Sequence, residues 1–182
     1  LGDNIWLGAD AVGLWKMDLK KKVIRDATRN AFKKNIRFSA VRQAPDGRVW
    51  ASRHDRLVEW LGDSVLRRPE FAHPAFLQIS PDIQYLSDGS LVLCPKGFGV
   101  VIWKPGTTQV FQISQKDGLL SNKVDALHVA PSDVIWACTQ KGLSKLTPQG
   151  GGRYRMDNFT VKHGLPSNTV NGVTTLGDDV WV

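Results

Sequence analysis

The sequence has no long hydrophobic run and little cysteine. No stretch of its 182 residues approaches the ~18 apolar residues of a membrane-spanning helix. The two cysteines neither require nor exclude an oxidising compartment. No secretory signal is recognisable, and the chain begins with Leu1 rather than Met. We therefore expect the chain to be a piece of a longer protein.

Recognised catalytic and metal-binding motifs are also missing. The sequence contains no H-E-x-x-H zinc motif, no G-x-S-x-G nucleophile elbow, no P-loop and no paired-carboxylate signature. It therefore predicts no catalytic residue, no metal and no cofactor in this segment, and we interpret the segment as not an enzyme. Distant residues can still converge in any fold. Histidines without local metal spacing are His54, His73, His128 and His163.

The net positive charge of the chain has two interpretations. The net charge is +7 and the pI is about 9.6. The basic residues are scattered, which is typical of an uneven solvated surface, but the excess would also attract an anionic partner. No recognised nucleic-acid module is present and the cations do not line one helix, so we expect no bound nucleic acid.

Short strand-like segments with a tryptophan recur at a nearly constant spacing. The anchors are Trp6, Trp50, Trp136 and Trp181, with Val92 at the remaining position, and the steps between them are 44, 42, 44 and 45 residues. A repeat of this length indicates an array of identical structural units. Asp/Gly/Pro turn signals precede the anchors, and no 3.6-residue apolar face is present.

Four short strands fit into each repeat. Four antiparallel strands in ~44 residues predict an all-β fold, a β-propeller of about four blades. Because the anchor strand occurs at both ends, we interpret the chain as an arc of a larger, seven-bladed ring. The predicted outer strands are Lys22–Arg25, Ser64–Arg67, Gln109–Ile113 and Asn158–Val161. The predicted blades, within one propeller segment 1–182, are a partial blade 1–35, blades 36–82, 83–122 and 123–168, and a partial blade 169–182.

The anchor tryptophans are expected to pack between successive blades, where a large flat side chain buries much apolar surface. Cys94 and Cys138 occupy the same register in adjacent blades. A disulfide needs Cα atoms within about 7 Å, whereas facing sheets stand about 10 Å apart. We therefore expect two buried thiols without a bridge.

Two connector segments carry a resemblance to a known family. Asp117–Val124 has the sequence DGLLSNKV, and His163–Val170 has HGLPSNTV. Each precedes a strand, a turn and a further strand, and the pattern resembles the two-component regulator propeller repeat. The likeness is good for residues 109–182 and degenerate for 19–108. In the degenerate part Asp26–Asn35 and Pro69–Asp82 replace the connector.

The residues of this connector have a structural interpretation of their own. Gly118 and Gly164 permit a left-handed turn, and Pro166 fixes a dihedral angle. Serine and asparagine side chains satisfy loop backbone groups. We expect the connectors to be scaffold rather than ligand-binding, with His163 in the turn position of Asp117. The serines and asparagines concerned are Ser121, Ser167, Asn122 and Asn168.

The resemblance implies a periplasmic sensor, upstream of a membrane span and a histidine kinase, in hybrid receptors that control polysaccharide use. Some family members carry a diguanylate cyclase instead. On this interpretation the chain binds a ligand such as an oligosaccharide, pairs with the remaining blades of its ring and belongs to a homodimeric receptor. The alternatives are a propeller-type lyase or glycosidase and a protein-interaction scaffold.

Candidate binding residues lie in the loops between the second and third strands, which should emerge with the connectors at one face. Each of three consecutive blades places a cation there, which would suit a carboxylated or sulfated saccharide. Phe98 could stack on a sugar ring. The alternative is that these are exposed loop residues without a role. The set comprises Arg53, His54, Arg56, Lys96, Phe98, Gln140 and Lys141, with Asp10 in the corresponding loop of the first blade.

Overall fold

A computed structural model describes residues 4–9, 13–27, 37–44, 46–61, 65–67, 69 and 72–182. The chain forms two compact units, residues 1–83 and 84–182. Strands and short 3₁₀ turns make up the regular structure of both. No helix in the described part of the chain is long and apolar enough to cross a membrane.

The first unit contains two antiparallel sheets in which the strands follow chain order. One has three strands and the other has four. A 3₁₀ turn at Pro74–Leu77 follows the second sheet, and the His73 side chain caps it. The strands are β1 Asn4–Ala9, β2 Gly13–Asp18, β3 Val23–Asp26, β4 Phe38–Gln43, β5 Val49–Arg53, β6 Arg56–Leu61 and β7 Val65–Arg67.

The second unit contains two four-stranded sheets and a two-stranded hairpin, again antiparallel and in chain order. The strand β8 begins at the last residue of the first unit. The strands are β8 Ile83–Tyr85, β9 Leu91–Leu93, β10 Val100–Trp103, β11 Val110–Ile113, β12 Val124–Ala130, β13 Val134–Thr139, β14 Gly142–Pro148, β15 Tyr154–Phe159, β16 Thr174–Leu176 and β17 Asp179–Trp181. The 3₁₀ turns are Gln115–Asp117, Pro131–Asp133 and Val161–His163.

The prediction of an all-β fold built from four-stranded blades is confirmed. Each sheet lies within one predicted blade, whereas the seven-bladed ring stays a prediction. The outer strand predicted at Asn158–Val161 is wrong in its bounds, because β15 starts four residues earlier and Val161 opens a 3₁₀ turn. A tight glycine-rich turn, closed by the Gln149 N–H on the Arg153 carbonyl at 2.8 Å, brings β15 directly beside β14. The predicted outer strand at 64–67 begins at a residue outside the described part.

In the first unit the core lies between the two sheets. Leu14, Phe38 and Trp60 belong to one buried cluster, and Trp6 packs against it. The rings of Trp6 and Trp60 meet edge to face, with centroids 6.2 Å apart. Trp6 therefore packs between blades, as predicted.

In the second unit the anchor strand β13 contributes to two cores. Ile135 and Ala137 pack with the preceding sheet, while Trp136 and Cys138 pack toward the segment that leads to β16. Side chains alternate across a strand, so neighbouring residues face opposite blades. The prediction for Trp136 is confirmed. Trp181 lies in the two-stranded hairpin β16–β17, and its packing against a following blade stays a prediction.

The same alternation explains the cysteines. Cys94 belongs to the core between the sheets β8–β11 and β12–β15, whereas Cys138 belongs to the core on the far side of β12–β15. Both thiols are buried and neither forms a disulfide, as predicted. Equivalent positions in successive blades face successive interfaces, and so they do not meet.

The glycine that opens the third strand of a blade has no room for a side chain. At Gly142, with φ of +131°, a Cβ atom would collide with the Phe159 carbonyl oxygen and would lie 2.8 Å from Leu120 Cδ1. Gly99 has the same relation to the Ile113 carbonyl of its own blade. This glycine lets the outer strand and the connector close over the third strand.

We predict that Gly142→Ala destabilises the protein more than Gly164→Ala. Both glycines have positive φ, but nothing lies within 4 Å of a Cβ at Gly164. Backbone strain costs about 1–2 kcal/mol in either variant. The collision at Gly142 adds roughly 1–3 kcal/mol. Urea unfolding followed by tryptophan fluorescence measures both losses, and equal losses would contradict the close approach.

Candidate functional site

The loops between second and third strands lie beside the connectors at one end of the blades. In the sheet β8–β11 the Gly99 N–H donates to the Asn122 carbonyl at 3.0 Å. In the next sheet the Val170 N–H donates to the Thr139 carbonyl at 3.0 Å. This end, which we call the connector end, carries the predicted site residues of the second unit.

Three predicted site residues of the second unit are exposed at the connector end. Lys96, Gln140 and Lys141 are exposed, and neither lysine forms an ion pair with any residue that the structure describes. The buried Thr139 hydroxyl accepts a hydrogen bond from the Lys141 N–H at 3.0 Å and so fixes the backbone of this turn. Both ammonium groups are available to an anion.

Phe98 is half-buried in a tight turn of the same end. Its N–H donates to the Pro95 carbonyl at 3.0 Å, and its carbonyl accepts from Gln112 Nε2 at 2.9 Å. The backbone of the residue is therefore held from both sides. Its ring is only partly covered, which leaves a surface for stacking.

The predicted cations of the first unit are not independent charges. Asp55 lies between Arg53 and Arg56: Arg53 Nε is 2.6 Å from one carboxylate oxygen, and an Arg56 guanidinium nitrogen is 2.6 Å from the other. Partial burial raises the pKa of Asp55, but the hydrogen bonds and charges of the two guanidinium groups outweigh it and hold the pKa at about 2. The three side chains together carry a net charge of +1 rather than +2.

His54 is exposed beside this cluster, with Nδ1 3.9 Å from an oxygen of Asp55. Its N–H donates to the Arg37 carbonyl at 3.1 Å. Asp10 lies outside the described residues. Because Arg53, His54 and Arg56 belong to the first unit and the other candidates to the second, the convergence of all seven on one ligand stays a prediction.

The two connectors have the predicted structural role. Asn122 Oδ1 accepts the Gln115 N–H at 2.8 Å, and Asn168 Oδ1 accepts the Val161 N–H at 2.9 Å. Gly118 and Gly164 adopt left-handed conformations with φ of 100° and 96°. The side-chain acceptors of both connectors are therefore occupied by the connectors' own backbone.

Asp117 and His163 play the same part in these connectors. An Asp117 carboxylate oxygen accepts from the N–H and from the hydroxyl of Ser114, both at 2.9 Å. These hydrogen bonds hold the pKa of Asp117 below its usual value, with the Ser114 N–H as the main cause. His163 Nδ1 accepts the Thr160 N–H at 3.1 Å, so its turn role is confirmed.

Sequence reasoning missed a pocket at the opposite end of the second unit's blades, where the first strand turns into the second and the third into the fourth. We call it the turn-end pocket, and its volume is about 290 Å³. The run Gly150-Gly151-Gly152 beside it was a signal that could have found it. The lining residues are Leu86, Asp88, Ser90, Ile102, Lys104, Thr107, Gln109, Phe111, Gly152 and Tyr154.

Comparison with known proteins identifies the fold. No protein-family model and no curated protein matches the sequence. Among solved structures, the extracellular domain of a one component system from B. thetaiotaomicron is 16% identical with a TM-score of 0.76, over 99% of this chain and 24% of that one. The extracellular domain of a hybrid two component system from the same organism is 20% identical with a TM-score of 0.74, over 95% and 24%.

A third similar structure is virginiamycin B lyase from Staphylococcus aureus with quinupristin, 14% identical with a TM-score of 0.63, over 92% of this chain and 53% of that one. The chain thus spans about a quarter of the length of the first two structures and about half of the lyase. At these identities the likeness shows the fold, which is that of a β-propeller. The resemblance to two-component regulator propellers is confirmed at that level.

We predict that the arginine clamp, by which we mean Arg53 and Arg56 on either side of Asp55, stabilises the protein only above acidic pH. The pKa of Asp55 in the folded protein is about 2 rather than 3.8, so its contribution is complete above about pH 4 and is lost as the pH falls through about 2. Allowing for solvent screening, Asp55→Asn should cost about 1 kcal/mol at neutral pH, progressively less below about pH 4 and nothing well below about pH 2. Urea unfolding at several pH values measures this, with Asp178→Asn as the control. A loss that is independent of pH would contradict the clamp.

We also predict that His163→Asp preserves the connector, whereas His163→Ala lowers the free energy of unfolding by about 1 kcal/mol. An aspartate supplies the acceptor that Asp117 supplies in the preceding connector, while alanine leaves the Thr160 N–H without one. Thermal unfolding of the two variants checks this. If both variants were equally destabilised, the capping role of His163 would be wrong.

Proposed function

We propose that the chain is a ligand-sensing segment of an extracytoplasmic receptor, which passes its signal to an output domain of the two-component type. The observation that carries this proposal is the shared fold with extracellular domains of one component and hybrid two component systems, over 95–99% of the chain. The repeated D-G-L-x-S-N connectors favour the same class. A periplasmic location and a histidine kinase or diguanylate cyclase as output belong to this proposal.

The proposed ligand is a carboxylated or sulfated oligosaccharide at the connector end. Lys96 and Lys141 are exposed there without an ion pair to any part of the chain that the structure describes. In the first unit the corresponding loop carries Arg53, Asp55 and Arg56, which together have one net positive charge. Guanidinium groups can exchange a carboxylate partner for a ligand carboxylate or sulfate of the same geometry. The partly covered ring of Phe98 would pack against a sugar ring.

The second candidate is a propeller enzyme that cleaves carbohydrate, and the fold shared with a GH74 enzyme, at 12% identity and a TM-score of 0.63, is the observation in its favour. Such an enzyme needs a general acid that is protonated near neutral pH. Asp55 lies in the loop that carries Arg53, His54 and Arg56. Its pKa is about 2, so its carboxylate is ionised near neutral pH. Asp55 therefore does not supply this acid.

Isothermal titration calorimetry on the intact protein, with oligogalacturonate, a sulfated heparin disaccharide and neutral maltotriose as probes, tests the proposal. We expect an anionic probe to bind without being cleaved, as judged by mass spectrometry of the probe after incubation. Charge reversal at Arg53, Lys96 and Lys141 together should weaken binding by at least about tenfold, since each tenfold loss corresponds to ~1.4 kcal/mol.

The matched control reverses Lys20, Lys21 and Arg153, which lie in turns between third and fourth strands. It changes the net charge by the same amount at the other end of the blades. Equal effects of the two triple variants would contradict the site at the connector end and leave only a general charge attraction. Cleavage of a probe would contradict the sensor interpretation.

A further inference from the structure

The turn-end pocket is formed by turns of two neighbouring blades, away from the residues of the proposed sensing site. Asp88 lies in the β8–β9 turn, Lys104 in the β10–β11 turn and Gly152 in the β14–β15 turn. All of the lining belongs to the second unit. The pocket therefore differs from the connector end in position and in the loops that form it.

The walls of the pocket are aromatic and aliphatic. Ile102 is buried in the core between the two sheets, and Leu86 and Tyr154 pack against that core. Phe111 is 44% exposed, and its ring lies so close to the glycine turn that a Cβ on Gly152 would be 2.7 Å from Phe111 Cε1. Two aromatic side chains, Phe111 and Tyr154, thus border one cavity.

The charges in the lining cancel. Lys104 Nζ lies 3.4 Å from an Asp88 carboxylate oxygen, and the Ser90 N–H donates to the other Asp88 oxygen at 2.9 Å. One carboxylate and one ammonium group leave no net charge on the pocket. A charged ligand would meet one group of like charge beside the group of opposite charge, so the pocket favours a neutral ligand.

Two further polar groups of the lining are available for hydrogen bonds to a ligand. Neither the Gln109 amide nor the Tyr154 hydroxyl forms a hydrogen bond with another residue in the described ranges. Burial raises the pKa of Tyr154, and the negative charges of Asp133 and Asp88 raise it further, so the hydroxyl remains a donor. These groups offer both donors and acceptors at the opening.

The pocket is held in shape by a link between the two blades. The Ser87 N–H and hydroxyl donate to the two carboxylate oxygens of Asp133, at 2.7 and 2.6 Å. Ser132 and Asp133 both adopt left-handed φ, of 62° and 59°, which sets the direction of this turn. Pockets that are formed before the ligand arrives are typical of small-molecule sites.

From these observations we propose that the turn-end pocket binds a neutral sugar ring. The aromatic rings of Phe111 and Tyr154 match the apolar C–H face of a pyranose. The Asp88–Lys104 pair, Gln109 and the Tyr154 hydroxyl can bind its ring hydroxyls. The volume of about 290 Å³ lies just below the ~300–1,000 Å³ of small-molecule pockets and matches a single ring. This site is additional to the connector-end site and selects by shape and hydrogen bonding instead of charge.

Saturation-transfer NMR and calorimetry on the intact protein test this inference. The probes are the methyl glycosides of glucose, galactose, mannose and N-acetylglucosamine, with galacturonate as the charged comparison. We expect at least one neutral glycoside to bind more tightly than about 10 mM and more tightly than galacturonate. Binding of none of them, or preferential binding of galacturonate, would overturn the proposal.

Two neighbouring glycines provide a matched pair of variants. Gly151 and Gly152 have φ of +60° and +74°, but only a Cβ on Gly152 meets the Phe111 ring. Gly152→Ala should weaken glycoside binding by about tenfold or more, while Gly151→Ala, with similar backbone strain, should change it by less than about twofold. Equal effects of the two variants would place the binding elsewhere.

Tyr154→Phe keeps the ring and removes the hydroxyl, so it should weaken binding by about three- to tenfold. The triple charge reversal at Arg53, Lys96 and Lys141 should leave glycoside binding unchanged. If that triple variant abolished glycoside binding while Tyr154→Phe did not, the sugar would bind at the connector end and the turn-end site would be wrong. If the anionic probes failed to bind at the connector end, the expected binding of a neutral glycoside to the turn-end pocket would not change.

Discussion

Packing of each blade against the next one is the constraint on which the rest of the structure depends. A four-stranded sheet has two apolar faces and can cover neither by itself. The anchor strand β13 shows how the chain resolves this, because Ile135 and Trp136 are consecutive and belong to different cores. Truncation of a large buried aromatic side chain costs about 3–5 kcal/mol, so an anchor such as Trp136 is a large part of one interface.

Because the sheet faces are used for packing, only the two ends of the blades remain for binding. At the connector end the chain must also pass from the outer strand of one blade to the inner strand of the next. It does so over Gly99 and Gly142, where the absence of a side chain allows a close approach. The structural demand at this end explains why the most regular sequence signals are found there.

The fold was predictable because its signals repeat. Because the repeat has a step of about 44 residues, the strands of one blade predict the positions of the strands in the next. This holds even where Val92 replaces the tryptophan. The prediction of the outer strand failed at Asn158–Val161 because the turn before it is built from glycines at 150–152, which have positive φ and allow β15 to start at once.

The site was less predictable, because side-chain geometry decides it. The sequence predicts a cation in this loop, Arg53 or Arg56, whereas the position of the Asp55 carboxylate between the two guanidinium groups is visible only in three dimensions. The turn-end pocket was missed for a similar reason. Asp88, Lys104, Phe111 and Tyr154 come from turns and strands of two blades, and no local motif joins them.

A distinction between occupied and unoccupied polar groups separates scaffold from candidate site. Asn122 Oδ1, Asn168 Oδ1, one Asp117 carboxylate oxygen and His163 Nδ1 each accept a backbone N–H of the turn in which they lie, so these atoms serve the scaffold. That two different side chains, a carboxylate and an imidazole, perform one capping task shows that the turn needs an acceptor rather than a particular residue. Groups without such a task lie elsewhere: Lys96 and Lys141 at the connector end, and Gln109 and Tyr154 at the turn end. Removing water from a polar group is favourable only when a new hydrogen-bond partner replaces the water. We therefore expect a ligand to bind at these groups and not at the repeated motif.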